Sequence, residues 1–356
     1  MDYMNPEILI LSGPIHTGKS TALLNWCKLN SSRLRCAGII NPSIYAEKVF
    51  IELPTFESFK SNPLSPADTV EIGKYKFSQI AFNRADEIIS KAGDKEADVF
   101  IIDEIGKLEL RDQGLSSSIE RILTNLHQSK THVLILVVRD FLLEEVKLKY
   151  QLNRPVTIDQ SIFETDRPPL VIMTGGQSKR MGQDKHSLNY GKGKAWMALK
   201  NRMTPWFSNI HFSINPHQTA EFLNESYIVD HFEEIGPIGG IASAFSEFGS
   251  DSIVFLACDM PLINIAVIDR LIREHDKNGI ATCAKSKSKK QIEPLLSIWN
   301  RSALSEINLA IESGSYSLTK LLNRENVNVV EFDDEVFVNV NTAADFASIK
   351  ERLKGQ

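Results

Sequence analysis

The sequence is poor in cysteine, in long apolar runs and in net positive charge, and each shortage argues against a class of protein. Its 356 residues include four cysteines, none in a C-x-x-C pair, so neither a disulfide framework nor a zinc site is expected. No stretch reaches the roughly 18 apolar residues of a membrane span, and the start "MDYMNPEILILSG" does not have the form of a secretion signal. The net charge of −5 gives no global field for nucleic acid. We therefore expect a cytoplasmic protein that binds neither a membrane nor nucleic acid.

Short apolar runs alternate with longer segments of helical period along the chain. The runs are, in order, EILILSG, CAGII, VFIID, HVLILVV, LVIMTGG, IHFSIN, IVFLACD and IATCAK. This alternation predicts an α/β fold with mostly parallel sheets. The length suits two globular domains, and "QLNRPVTIDQSIFETDRPP" between the halves has no sustained period. We place the boundary near residue 166, within this segment, and assign the domains to residues 1–164 and 165–356.

The first motif that carries chemistry is "SGPIHTGKST", near the start of the chain. Gly13, Gly18, Lys19 and Ser20 fit the pattern G-x-x-x-x-G-K-[ST] of a P-loop, and they lie between a strand and a helix, as the pattern requires. The backbone N–H groups of this loop and of the helix start, where Thr21 follows, would hold phosphate oxygens. Lys19 would reach the β and γ phosphates, and Ser20 would ligate Mg²⁺. The motif predicts NTP binding, with an unrelated glycine turn as the alternative.

A P-loop needs an acidic partner at the end of a neighbouring strand, and "ADVFIIDEIGKLEL" supplies one. Asp103 would hold the Mg²⁺ ion through water, and Glu104 would orient or deprotonate the attacking water as a catalytic residue. The alternative is an acid pair that only marks the strand end. Arg139, which closes "HVLILVVRD", is predicted either to approach the developing phosphate charge or to be a surface arginine.

These motifs together resemble a known family. The P-loop, "IGKYKF" at 72–77 and "DEIGKLEL" at 103–110 resemble the small nucleoside-triphosphatase family, over roughly residues 6–160. The resemblance implies a P-loop NTPase fold that binds and hydrolyses an NTP. A nucleotide-binding adaptor that does not hydrolyse is the competing interpretation.

A second basic, glycine-containing loop opens the other half, in "TGGQSKRMGQDK". Its residue count does not fit a P-loop. Gly175 and Gly176 would let the backbone approach a nucleotide, while Arg180 and Lys185 would neutralise the phosphates that leave. Such a loop suits the release of pyrophosphate, and a surface glycine turn with solvated cations is the alternative.

Polar residues also follow the later strands. Asp259 comes directly after "IVFLAC", where a carboxylate can bind Mg²⁺ because ligands gather at the carboxyl ends of strands in open α/β sheets. Asn215 in "FSINPHQ" and Asp230 in "YIVDHF" occupy comparable places, and "GPIGG" at 236–240 adds a glycine-rich segment. Taken singly, each of these is also compatible with a turn or a helix cap.

In order, the blocks TGGQSKRMGQDKHSL, GPIGGI, CDMPL, EPLLSIW and FVNVNTAADF resemble the molybdenum cofactor guanylyltransferase (MobA) family across residues 168–353. The resemblance implies a Rossmann-like nucleotidyltransferase three-layer sandwich. It also implies Mg²⁺ as cofactor and transfer of GMP from GTP to molybdopterin, or to molybdenum-loaded molybdopterin, with loss of pyrophosphate. The implied nucleotide contacts are Gly175, Gly176, Lys185, Asn215, Asp230 and Asp259, with Arg180, Lys185 and Asp259 catalytic and Asp259 also on the metal. Asn339 and Asn341 match a motif near the cleft.

Several alternatives remain open at this point. A cytidylyltransferase that uses CTP, or another small-molecule nucleotidyltransferase, would share most of these blocks. A binding module that carries molybdopterin to other proteins is a third reading. The fusion of two nucleotide-binding domains suggests that both act in one pathway, with molybdoenzyme maturation proteins as further partners.

Overall fold

The computed structural model of the chain forms two compact units, which meet in sequence between Thr165 and Asp166. The residues it describes are 6–45, 47–63, 65–72, 75–93, 95–174, 194–232 and 234–338. Both units are built from mostly parallel sheets with helices between the strands. The predicted α/β class is therefore confirmed, and each apolar run named above contains most or all of a strand within the described residues.

The N-terminal unit is built on one long sheet with a small separate hairpin. Its strands are β1 (Glu7–Gly13), β2 (Cys36–Ile40), β3 (Ser43–Ile44), β4 (Glu47–Leu53), β5 (Ser58–Lys60), β6 (Thr69–Ile72), β7 (Tyr75–Ser78), β8 (Val99–Ile105), β9 (Val133–Arg139) and β10 (Val156–Ile158). Its helices are α1 (Lys19–Leu29), α2 (Gln79–Gly93), α3 (Ser116–Thr124) and α4 (Leu143–Lys149).

The order of the main sheet is β10-β1-β9-β8-β2-β4-β3, and β5 pairs with β4. The strands from β10 to β2 are parallel, whereas β4 runs antiparallel to β2. The central strands β1, β8 and β9 are rich in Ile, Leu and Val and are buried over most of their length, as expected for strands covered on both faces. All five parallel strands therefore end at one edge of the sheet.

The C-terminal unit has a second sheet of its own. Its strands are β11 (Leu170–Met173), β12 (Ile210–Ile214), β13 (Tyr227–Val229), β14 (Ser252–Ala257), β15 (Ala281–Ser286), β16 (Ile292–Asn300) and β17 (Val327–Phe332). Its helices are α5 (Ala195–Met203), α6 (Pro237–Glu247), α7 (Ile265–Arg273), α8 (Leu304–Glu312) and α9 (Leu318–Leu322). The strand order is β13-β12-β11-β14-β16-β15-β17, and the first four strands are parallel.

Two expectations from composition can be compared with the structure. The cysteines Cys27, Cys36, Cys258 and Cys283 are all buried thiols. Within the described ranges, no helix is both long enough and apolar enough to cross a membrane.

Candidate functional site

The P-loop residues come together as the sequence predicts. β1 ends at Gly13 and α1 begins at Lys19, so Ser20 and Thr21 lie in the first turn of that helix. Gly18 precedes the helix with φ of 86°, in the left-handed region that glycine adopts without a steric penalty. The first N–H groups of a helix have no partner within the helix, so they are available to an anion at this end.

Lys19 turns back into the loop. Its Nζ donates hydrogen bonds to the carbonyl oxygens of Gly13 at 2.8 Å and Pro14 at 2.6 Å. Burial lowers the pKa of Lys19, and the negative charges of Glu104, Asp103 and Asp140 oppose that shift. The ammonium therefore lies within electrostatic range of the predicted acid pair.

The acid pair is not on the strand next to β1. β9 lies between β1 and β8, so the expectation of a neighbouring strand was wrong by one position. Strand order depends on which distant segments pair, and the local apolar pattern does not encode it. The inserted strand ends with Arg139, whose Cα is in register with that of Gly13.

The surroundings of Asp103 suit the binding of a divalent cation. Its side chain is fully buried, Oδ2 accepts a hydrogen bond from the Asn41 N–H at 2.9 Å, and Oδ1 has no hydrogen-bond partner among the described residues. Burial raises the pKa of Asp103 to about 6, and the charge of Glu104 acts in the same direction, while Lys48, the Asn41 N–H and Ser20 act against it. A buried carboxylate oxygen beside a serine hydroxyl is a donor set that suits Mg²⁺.

Glu104 is held by two cations. Arg139 donates to Oε1, and the Lys48 ammonium lies 3.3 Å from Oε2. Burial acts to raise the pKa of Glu104, but Lys48 and Arg139 outweigh it and keep the pKa below its usual value. The side chain of Arg139 is 29% exposed and is committed to this ion pair, so it is not the solvated surface arginine of the alternative interpretation.

In the C-terminal unit, three predicted residues, together with Thr174, which was not predicted, lie at the carboxyl ends of adjacent parallel strands. Asp230 follows β13, Asn215 follows β12, Thr174 follows β11 and Asp259 lies two residues beyond β14. Thr174 joins two of these ends, because both its N–H and its hydroxyl donate to the Ser213 carbonyl oxygen, at 3.1 and 2.7 Å.

Asp259 is only 6% exposed, and the preceding Cys258 N–H donates to the Met173 carbonyl oxygen at 3.3 Å. The backbone just before Asp259 is therefore bonded to the end of β11. Carboxylate oxygen donors suit Mg²⁺, which commonly takes its other ligands from substrate phosphates and water.

Asp230 and Asn215 have different local roles. The Ser213 hydroxyl donates to Asp230 Oδ1 at 2.6 Å, and burial raises the pKa of Asp230 to about 6 against the opposing effects of Ser213 and His231. Asn215 caps a short turn, as the cap alternative allowed, and its N–H donates to Gln218 Oε1 at 2.8 Å. The helix α6 begins after Gly236 and brings Gly240 close to Ser213 and Asp230.

Several predicted residues lie outside the described ranges. They are Gly175, Gly176, Arg180, Lys185, Asn339 and Asn341. Their assignments stay predictions from the sequence.

Sequence reasoning missed Asn41, Lys48 and Ser213. Asn41 and Lys48 belong to the β2–β4 region and reach the acid pair only because β2 pairs with β8 and β4 pairs with β2. Ser213 lies inside β12, where it resembles any other strand residue. A polar residue within a largely apolar strand is the one sequence signal that would have pointed to Ser213.

Comparison with known proteins matches the two units to two families. Residues 8–158 match a family described as NTPase, and residues 170–329 match the MobA-like NTP transferase domain. The molybdenum cofactor guanylyltransferase of Syntrophotalea carbinolica is 30% identical over 187 residues, which cover 49% of this chain and 87% of that protein.

The chain belongs to the molybdenum cofactor guanylyltransferase family. Another relative, the molybdenum cofactor guanylyltransferase of Vibrio vulnificus, is 29% identical over 184 residues, covering 48% of this chain and 89% of that protein. The molybdenum cofactor biosynthesis bifunctional protein of Synechocystis is 25% identical over 182 residues. That match spans about half of each protein, 50% of this chain and 52% of the relative. Both family resemblances read from the sequence are thus confirmed. In this chain, the match to the NTPase family precedes the match to the transferase domain.

Proposed function

We propose that the C-terminal unit transfers GMP from GTP to molybdopterin, with or without bound molybdenum, and releases pyrophosphate. The observation that carries this proposal is the row of Asp230, Asn215, Thr174 and Asp259 along one edge of four parallel strands in a MobA-like transferase domain. Relatives named as guanylyltransferases favour GTP over CTP.

The chemistry needs positioning and charge stabilisation rather than a covalent enzyme intermediate. A phosphate oxygen of molybdopterin attacks the α-phosphorus of GTP in line, the bond to the β-phosphate oxygen breaks, and pyrophosphate leaves. Asp259 would hold Mg²⁺, which screens the charge on the phosphates when it is bound. We assign Gly175 and Gly176 to backbone contacts with the nucleotide, and Arg180 and Lys185 to the departing pyrophosphate.

The remaining predicted contacts lie further along the same edge of the sheet. Asp230 and Asn215 would bind the nucleoside part of GTP, because they follow strands β13 and β12 on the far side of β11 from Asp259. The Ser213 hydroxyl orients Asp230 for that contact.

We further propose that the N-terminal unit, with a functional boundary near residue 165, binds and hydrolyses a second NTP. Gly13, Gly18, Lys19 and Thr21 would contact its phosphates, since they form the loop and first turn at the end of β1. Ser20 and Asp103 would hold Mg²⁺, and Glu104 would orient the attacking water. The fusion of the two units supports a role in one pathway, with molybdoenzyme maturation proteins as further partners.

The test of the transferase is pyrophosphate release by the full chain with Mg²⁺ and molybdopterin, comparing GTP with CTP. We expect release with GTP that requires molybdopterin and is lost in Asp259→Ala. Asp251→Ala is the matched control, because Asp251 is an exposed aspartate at the opposite end of β14. Release with CTP alone would assign cytidylyl transfer, and no release with either nucleotide would contradict the proposal.

The test of the N-terminal unit is phosphate release from GTP and ATP by the full chain without molybdopterin. We expect release that disappears in Lys19→Ala and persists in Lys28→Ala, an exposed lysine in the last turn of the same helix. Equal release by the wild type and Lys19→Ala would favour a unit that does not hydrolyse its nucleotide.

A further inference from the structure

Arg139 lies between the predicted phosphate-binding loop and a negatively charged side chain. It is the last residue of β9, and its Cα is in register with Gly13, where the P-loop begins. On its other side, β8 carries Glu104, whose Oε1 accepts a hydrogen bond from the Arg139 guanidinium. One side chain therefore has the phosphate-binding loop on one flank and a carboxylate on the other.

Glu104 does not depend on Arg139 alone. Its Oε2 lies 3.3 Å from the Lys48 ammonium, and that ammonium also donates to the Asn41 carbonyl oxygen at 3.0 Å. Lys48 extends from β4, which lies on the side of β8 away from β9. Each carboxylate oxygen therefore has its own cation, and the side chain stays anchored if one of the two leaves.

A cation paired with a carboxylate oxygen makes that oxygen a weaker base, so release of one oxygen favours hydrolysis. The oxygen of water bonds to the terminal phosphorus, the bond to the bridging oxygen breaks, and the diphosphate leaves with the electron pair while Glu104 accepts the proton. Oε1 is engaged by Arg139 and Oε2 by Lys48. Of the two cations, only Arg139 extends from a strand that is hydrogen-bonded to β1, so it is the one that a bound phosphate can attract.

We propose that Arg139 exchanges partners: it releases Glu104 Oε1 and binds the terminal phosphate when an NTP enters the P-loop, while Lys48 keeps Glu104 in place. The inference rests on the proposed NTP hydrolysis by this unit. The planar donor fork of a guanidinium matches phosphate oxygens, and a phosphoryl group carries more charge than a carboxylate. The exchange makes the proton-accepting oxygen available only when substrate is present.

The exchange has a thermodynamic signature, because wild-type protein must break the Arg139–Glu104 pair in order to bind the triphosphate. Glu104→Gln weakens that pair in advance. The variant should therefore bind a triphosphate analogue more tightly than the wild type, and the gain should be larger while Arg139 is present. Removing a negative charge near the phosphates also tightens binding, but that contribution persists without Arg139, so a double-mutant cycle separates the two.

The experiment measures binding of the fluorescent β,γ-imido analogues of GTP and ATP to the full chain, and it counts only the binding lost in Lys19→Ala. The proteins are wild type, Glu104→Gln, Arg139→Met and the double variant. We expect Glu104→Gln to tighten binding about tenfold more when Arg139 is present than in the Arg139→Met background, within the range found for residues in contact. With the diphosphates GDP and ADP, the effect of Glu104→Gln should be the same in both backgrounds.

Lys48→Met is the matched control, since it removes the other cation from the same carboxylate. The additional tightening by Glu104→Gln should persist in the Lys48→Met background. Arg139→Lys keeps the charge without the fork, so it guards against a folding defect in Arg139→Met and should retain part of the coupling. Binding that depends on Lys19 but shows no coupling between residues 104 and 139 overturns the exchange and leaves NTP binding standing. No Lys19-dependent binding of either analogue overturns the proposed activity of this unit, and the exchange with it.

Discussion

Substitution of Gly240 by alanine should disrupt the nucleotide edge of the C-terminal unit. A Cβ atom at this position would lie 2.5 Å from Ser213 Oγ, 2.6 Å from Met173 Cε and 3.2 Å from Asp230 Oδ1. The first two distances are shorter than real Cβ contacts. Ser213 has no long side chain to move aside, so its hydroxyl must rotate and give up the 2.6 Å hydrogen bond to Asp230.

The magnitude follows from three contributions. Overpacking of a filled core costs about 1–3 kcal/mol, and loss of a hydrogen bond to a charged group costs about 1.5–3 kcal/mol. Alanine in place of glycine inside α6 offsets about 0.5–1 kcal/mol. Because Met173 can shift part of the way, we expect the free energy of unfolding of this unit to fall by about 2 kcal/mol, and GTP-dependent pyrophosphate release to fall with it.

Gly239→Ala is the control in the same helix. Its Cβ would meet Ile235 Cγ1 and Phe232 Cβ at 3.1 Å, distances that small shifts can relieve. Urea unfolding followed by tryptophan fluorescence suits the comparison, because Trp196, Trp206 and Trp299 of the four tryptophans belong to this unit. If Gly240→Ala unfolds at the same urea concentration as Gly239→Ala, the close approach of α6 to Ser213 does not constrain the site as argued.

Further perturbations test other parts of the structure. Burial raises the pKa of Asp230 to about 6, so wild-type protein loses stability relative to Asp230→Asn as the pH rises from about 4 to about 6. The difference in free energy of unfolding between the two proteins, measured with urea, should change by up to about 3 kcal/mol between pH 4 and pH 7. Glu109 accepts two backbone N–H bonds at 2.8 and 3.1 Å just after the acid pair. Glu109→Ala leaves one buried and one partly buried N–H group unpaired. The free energy of unfolding of the N-terminal unit, followed by circular dichroism, should therefore fall by about 2–4 kcal/mol; equal stability would contradict the assigned bonds. Arg167 and Asp269 form an ion pair at 2.8 Å with side chains 6% and 1% exposed, and Arg273 lies 2.8 Å from the other carboxylate oxygen of Asp269. Arg167→Met removes one of these two charged contacts, so it should cost about 1.5–3 kcal/mol in the same urea assay used for Gly240, and unchanged stability would contradict the pair.

The parts of the fold that the sequence predicts are the local ones. Strands such as β1 and β9 are apolar runs that any partner would bury, and the P-loop is one continuous segment whose pattern includes its flanks. The acid pair was found because parallel strands end at one edge. Its partners were not, because Lys48 reaches Glu104 through the pairing of β4 with β2 and of β2 with β8, and no local pattern records that pairing.

The same reasoning explains why the C-terminal residues were easier to place than their contacts. Asp230 and Asp259 each follow a strand, so both were expected at the carboxyl edge, but their separation depends on strand order. β13 and β14 lie three positions apart with β12 and β11 between them, and strands are spaced about 4.8 Å apart, so their ends are roughly 14 Å apart. One ligand atom cannot touch both carboxylates across that span, and an extended nucleotide can. The proposed contacts, Asp259 with the phosphates and Asp230 with the nucleoside, are compatible with this separation. Two neighbouring carboxylates could not contact both parts of one nucleotide.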